Sequence, residues 1–164
     1  MIELVKQAQH GNAEAYGKLI HLYQDSFYRV ARSRLNNDED AADAIQDALL
    51  SGWEKRKTLK EPKYFKTWMI RILINKCNEI ARKTPRTESL EQVPEPSIEN
   101  TESHLIFQEM LLQLNEKNRL VMALYYGEDY SIHEIAQILE ISENAVKQRL
   151  VRGRKEILKA YENA

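Results

Sequence analysis

Apolar side chains recur at three- and four-residue intervals along most of this 164-residue chain, the period of amphipathic helices. Residues 2–9 read as a short helix stopped by Gly11, and Asn12 is placed to cap the next. There Tyr16, Leu19, Ile20, Tyr23, Phe27, Val30, Ala31 and Leu35 predict a long helix ending near Asn36–Asn37. Asp38 or Asp40 caps a third helix, with Ala41, Ala44, Ile45, Ala48, Leu49 and Trp53 as its buried face. Asp40, Asp43, Gln46, Asp47 and Ser51 fall largely elsewhere on it. After a basic connection, Pro62 suits the first turn of a fourth helix. Its apolar face is Phe65, Trp68, Met69, Ile72, Leu73, Cys77 and Ile80.

The period then stops. Residues 84–101 hold Pro85, Pro94 and Pro96 and read as a flexible linker. Beyond it, Leu105 to Leu114 is a helix, and Asn115 caps another that carries Leu120, Val121, Leu124 and Tyr125 and ends at Gly127.

The stretch Tyr130 to Lys155 reads as two short helices joined by a tight turn. Ser131 caps the first, and Glu134 three residues on completes a capping box. Ile135, Ile138 and Leu139 share a face, and Ala136 is small enough for a second helix to cross closely. Ile141 lies in the turn and Ser142 caps the second helix, which buries Val146 and Leu150. A left-handed turn at Glu140, where glycine is common in such motifs, costs about 1–2 kcal/mol. Lys147, Gln148, Arg149 and Arg152 project away from the buried side, as does the leading turn with Ser142 and Asn144. Cations and amides there suit phosphates and base edges in a major groove. An ordinary helical hairpin with a solvated basic face would give the same pattern.

Charge sharpens the division. The net charge is −1, yet Lys55 to Arg86 is strongly basic, with only Glu61 and Glu79 opposing. From Thr87 to Asn115 there is no Lys or Arg, and glutamates accumulate. Lys147 to Lys159 is basic again. In the first basic block, Lys60, Lys63, Lys66, Arg71, Lys76 and Arg82 can follow a phosphate backbone, and Tyr64 is the ring best placed to stack on an unpaired base. Phe65 and Trp68 fit the core better. Cys77 stands alone, which excludes an intramolecular disulfide and fits a small buried side chain in a reducing compartment. The four histidines are scattered without metal-ligand spacing, and no cofactor motif is present. The start, M-I-E-L-V-K-Q, lacks a signal-peptide layout, and no apolar run matches a membrane span, so a cytoplasmic protein without membrane insertion is expected.

The order of parts resembles a known family. D-A-A-D-A-I-Q-D-A-L-L-S-G-W is followed by F-K-T-W-M-I-R-I-L-I-N-K, an acidic Pro-containing stretch, and L-L-Q-L-N-E-K-N-R-L-V-M-A-L-Y-Y-G-E-D-Y-S-I-H-E-I-A. Over nearly its whole length the chain resembles the extracytoplasmic-function (ECF) sigma factors of the sigma-70 family. The resemblance implies an all-α chain of two small helical domains: a region 2 bundle at 1–84 and a region 4 helix-turn-helix domain at 103–164, joined by an acidic linker at 85–102. It implies that Asp43, Gln46 and Asp47 dock on the clamp coiled coil of the polymerase β′ subunit, with the β flap as a further contact. Lys60, Lys63, Tyr64, Arg71, Asn75 and Lys76 would capture and melt the −10 element. Ser142, Asn144, Lys147, Gln148, Arg149 and Arg152 would read the −35 element as duplex. Control by an anti-sigma factor, commonly membrane-anchored, and a stress or envelope response are implied too. Glu79 stands where Asp is frequent, and Asn115 where Pro is frequent.

Two other readings compete. A conventional helix-turn-helix regulator would bind operators alone, normally as a dimer on paired half-sites, and has no need of the acidic face or the first basic block. An enzyme with a basic cleft would need a constellation assembled only in three dimensions.

Overall fold

The computed structural model describes residues 1–83 and 102–162, with side chains from residue 106 in the second stretch. The Pro-containing stretch 84–101 lies outside the described residues. So does the expected linker 85–102, save Glu102, which opens a helix. The chain divides into two compact units, Met1–Thr87 and Glu88–Ala164, and the regular structure among the described residues is helical, as expected.

In the first unit, α1 (Ile2–Gln9) buries Val5 and Ala8 and ends before Gly11, whose φ of +99° turns the chain. Asn12 Oδ1 then accepts from Ala15 N at 3.1 Å and starts α2 (Ala13–Arg34). That helix stops slightly short of the expected end, because Leu35 leaves it in extended backbone and turns into the core. The cap of α3 (Asp38–Glu54) is neither Asp38 nor Asp40 but Asn37, whose Oδ1 accepts from Asp40 N at 2.7 Å. Asp38 is engaged elsewhere: it accepts from Tyr28 Oη at 2.7 Å and lies 3.2 Å from Arg32 Nε.

Helix α3 packs through small residues. Ala41, Ala44, Ala48, Ser51 and Gly52 form one buried stripe, so Ser51 joins the face it was expected to avoid. A Cβ at Gly52 would meet Met69 Sδ at 2.6 Å and Tyr16 Oη at 2.8 Å, which shows how closely α4 (Phe65–Lys83) and α2 approach there. Between α3 and α4 the chain makes two 3₁₀ turns, Arg56–Thr58 and Pro62–Tyr64, with Leu59 buried between them. Helix α4 contacts both α2 and α3, so its buried arc is wider than one stripe: Ile70 and Ile74 are buried as well, and Ile72 is half-buried. Tyr16, Tyr23, Phe27, Trp53, Phe65 and Trp68 make a chain of ring contacts, centroids 5.2–6.4 Å apart. Cys77 is fully buried, and burial pushes its thiol up to about 12.

The second unit begins with α5 (Glu102–Leu112), whose exit tightens: Gln113 N donates to Met110 O and Leu114 N to Leu111 O. Asn115 caps α6 (Glu116–Met122) by accepting from Lys117 N. The helix reaches Gly127, as expected, but its final stretch Ala123–Gly127 widens into a π turn. Glu128 N there reaches back five residues to Ala123 O. The unit closes with α7 (Ile132–Leu139) and α8 (Glu143–Glu162).

Candidate nucleic-acid and partner interfaces

The helix-turn-helix is built from local chemistry. Ser131 Oγ accepts from Glu134 N at 3.1 Å while Glu134 Oε1 accepts from Ser131 N at 3.0 Å, so the capping box is closed. Glu140 takes the left-handed conformation (φ 57°, ψ 44°), and Ile141 N reaches Ala136 O at 3.1 Å across the turn. Ser142 Oγ then accepts from Ala145 N. Val146, Leu150 and Gly153 face inward from α8. Gly153 lets the helices cross closely, since a Cβ there would lie 2.8 Å from Met122 Cγ and Met122 would have to shift. Glu156 ties α8 to the start of α6 by accepting from Asn115 N at 2.9 Å and from Asn118 Nδ2.

That packing leaves Asn144, Lys147, Gln148 and Arg152 exposed along the outer side of α8. Arg149 is half-buried and turns toward a groove of about 580 Å³ shared with Lys117, Arg152, Lys155 and Lys159. Ser142 is exposed, but its oxygen is occupied as a cap. The sequence pattern gave no sign of Glu143, which opens α8 and lies 3.2 Å from His133 Nδ1 on α7. Nor did it show that Arg154 Nε donates to Tyr126 Oη at 2.8 Å, seating α8 on the π turn.

In the first unit, Asp43, Gln46 and Asp47 are all exposed and, at spacings of three and four, share one outer face of α3. Leu50 continues that face and is 62% exposed, an apolar spot one turn beyond the acids. Its place seven residues after Asp43 was the available signal.

The cationic surface lies on the connection and on α4. Lys60, Lys63 and Tyr64 are exposed, and the Lys63 ammonium sits 5.0 Å from the Tyr64 ring centre. Arg71 and Asn75, one turn apart, are exposed on α4. Lys76 stands off that line, half-buried and 3.8 Å from Glu79 Oε2. Helical rise puts Arg71 roughly 9 Å along the axis from Phe65. Arg56 folds back on α3, its guanidinium 4.1 Å from the Trp53 ring centre and its Nη1 donating to Trp53 O.

Two family profiles match these two units: Sigma-70 region 2 over residues 19–87, and Sigma-70 region 4 over residues 104–157. The ECF RNA polymerase sigma factor SigM of Mycobacterium tuberculosis is 30% identical, across 93% of this chain and 80% of the relative. The chain belongs to the ECF sigma factors. SigW of Bacillus subtilis, also an ECF RNA polymerase sigma factor, is 28% identical across 94% of this chain and 93% of its own. Two solved structures share the fold. RpoE of Bartonella quintana, crystallised with the anti-sigma factor NepR, superposes with a TM-score of 0.77 at 20% identity, covering 90% of this chain and 96% of that one. CnrH, solved with the cytosolic domain of CnrY, gives 0.73 at 24% identity over 99% and 97%.

The region 2 match takes in α2 from residue 19 on, with all of α3 and α4, and with them the acidic face and the cationic surface. The region 4 match takes in the helix-turn-helix. Helix α1 lies ahead of both matches. Among the described residues no helix is long and apolar enough to cross a membrane.

Proposed function

We propose that this ECF sigma factor binds core RNA polymerase and directs it to promoters through three surfaces. Asp43, Gln46 and Asp47 dock on the basic clamp coiled coil of β′, and the region 4 unit engages the β flap. Lys60, Lys63, Tyr64, Arg71, Asn75 and Lys76 hold the −10 element, whose bases must leave the stack at a cost of a few kcal/mol each. Ser142, Asn144, Lys147, Gln148, Arg149 and Arg152 engage the −35 element as duplex, with Arg149 serving phosphates from the cationic groove and Gln148 and Asn144 reading base edges. The domains then correspond to 1–84 and 103–164, with 85–102 between them. The acidic stretch takes the polymerase's cationic product channel, in place of nucleic acid. The chain acts in the cytoplasm, where an anti-sigma factor, the cytosolic part of a membrane-anchored protein, holds it until an envelope or stress signal arrives.

The observation that carries this reading is the pairing, in the region 2 unit of one chain, of an exposed acidic face on α3 with a separate exposed cationic surface on the connection, where Lys60 and Lys63 stand, and on α4, where Arg71 stands. A DNA-binding regulator has use for the second and none for the first. The test is transcription in vitro with bacterial core polymerase, this protein and genomic fragments, scored for new defined 5′ ends. Specific initiation is expected, and Asp47→Arg is expected to abolish it. Operator binding by the protein alone, without initiation, would overturn the reading.

A further inference from the structure

The connection Lys55–Tyr64 carries part of the proposed −10 surface, and its local turns are not all that holds it. It has no helical ladder, only two short 3₁₀ turns, and Lys55, Lys57, Lys60 and Lys63 stand exposed along it and repel one another. The Thr58 hydroxyl closes the first turn by donating to Lys55 O at 2.7 Å, and three further contacts hold the connection. Arg56 folds back on Trp53, Leu59 is buried, and the side chain of Gln9 reaches over from α1. Gln9 Nε2 donates to Arg56 O at 3.1 Å and to Leu59 O at 2.8 Å. These carbonyls belong to the first residue of the first 3₁₀ turn and to the residue that closes it. One amide nitrogen with two hydrogens thus spans the turn from end to end. Helix α1 contacts both 3₁₀ turns, and Val5 and Ala8 anchor it on the core, so the Gln9 backbone is itself fixed.

We propose that Gln9 is a positioning residue for recognition of the −10 element: it fixes the backbone from which Lys60, Lys63 and Tyr64 project. This rests on the reading of that connection as a −10 contact. The physical reason is geometric. Unstacked bases are distinguished by hydrogen bonds and stacking at fixed distances, so a connection that wanders by an ångström keeps its charge attraction but loses its discrimination. Phosphate attraction, being long-ranged, tolerates such movement. Gln9 should therefore matter for which −10 sequence is opened and hardly at all for polymerase docking, whose face lies on α3.

The test uses the full chain assembled with core polymerase, on a promoter mapped by its 5′ end and a panel carrying each single-base change in its −10 element. Wild type is compared with Gln9→Glu, which keeps the shape but sets a carboxylate against two carbonyls, and with Gln9→Met, which removes the donors and keeps the stem. Open-complex formation, core-polymerase affinity and the thermal midpoint are measured for each. Open-complex discrimination between best and worst −10 bases is expected to shrink on the order of tenfold, the scale of losing one or two such bonds, and further in Gln9→Glu than in Gln9→Met. Core affinity is expected to stay within about twofold. Equal loss across the whole panel, or a parallel fall in core affinity, would make Gln9 a merely structural residue and overturn the proposal. If Gln9→Glu fails to fold, Gln9→Met decides by the same criteria. A wild-type protein indifferent to −10 sequence would defeat the underlying reading instead, and the proposal with it.

Discussion

Glu140, like Asp129, holds a positive φ without being glycine. Its φ of 57° closes α7 and lets Ile141 N reach Ala136 O, a cap geometry that glycine adopts freely. Relieving about 1–2 kcal/mol of left-handed strain while giving back about 0.4–1 kcal/mol of unfolded-chain entropy leaves Glu140→Gly roughly 0.5–1 kcal/mol more stable. Urea unfolding should show a higher midpoint with an unchanged slope, and a lower midpoint would refute the strain. Other residues tie stability to pH. Burial pushes Tyr16, Tyr28 and Cys77 each up to about 12, Tyr28 with added help from its bond to Asp38. These are acids that the fold keeps protonated. Their contribution is complete below the ordinary values of 10.0 for tyrosine and 9.0 for cysteine. It is lost as pH rises toward 12, because the unfolded chain then binds fewer protons than the folded one. Unfolding free energy should therefore decline from about pH 9 upward. Tyr16→Phe should make that decline shallower, while costing about 1 kcal/mol at neutral pH for the lost bond to Leu49 O. An unchanged alkaline slope in Tyr16→Phe would assign the decline to other groups.

At the scale of elements, α8 depends on how near it comes to α6. Gly153 faces Met122 at a distance no Cβ can share, so Gly153→Ala should cost about 1–3 kcal/mol of crowding against a gain of up to about 1 kcal/mol in helix propensity. A net loss in thermal stability is expected, and weaker −35 binding by holoenzyme with it. A more stable variant would mean that Met122 yields easily. Much of this unit was legible because its determinants are local: the capping box at Ser131 and the left-handed Glu140 involve partners a few residues apart. The misreadings have longer-range causes. Asn37, Asp38 and Asp40 are all good caps in isolation. Asn37 takes the role because Tyr28 and Arg32, on another helix, engage Asp38. Ser51 is buried despite its hydroxyl because the α3–α4 approach demands small residues more than apolar ones. The π turn reflects a single-residue offset that periodicity does not resolve. The exposure of Leu50 could be placed on a helical wheel but not distinguished from core. Gln9 was invisible, since its partners are backbone carbonyls 47 and 50 residues away and no side-chain pattern encodes them.

For the molecule as a whole, a net charge of −1 conceals blocks of opposite sign. Lys55 to Arg86 and Lys147 to Lys159 attract phosphate, whereas Thr87 to Asn115 carries glutamates and no compensating cation. Non-specific DNA affinity grows with the phosphates neutralised and falls steeply with salt, and a free chain of this kind should bind duplex no tighter than roughly 10⁻⁶ M at physiological salt. The acidic block should lower that affinity further, but only where its field survives screening, within about 8 Å at 0.15 M and farther at low salt. Replacing Glu88, Glu91, Glu95 and Glu99 with Gln raises the net charge from −1 to +3. Such a variant should bind a random duplex several-fold tighter at low salt, with the gain shrinking as salt rises. Promoter choice by the holoenzyme should be unaltered, because the base contacts proposed above lie on α8 and on the connection and α4. Fluorescence anisotropy across a salt series measures the first effect, and the −10 panel the second. Tight, sequence-specific binding by the free wild-type chain at physiological salt would defeat this division of labour, in which charge keeps the free protein off DNA and the polymerase supplies the geometry that makes its contacts specific.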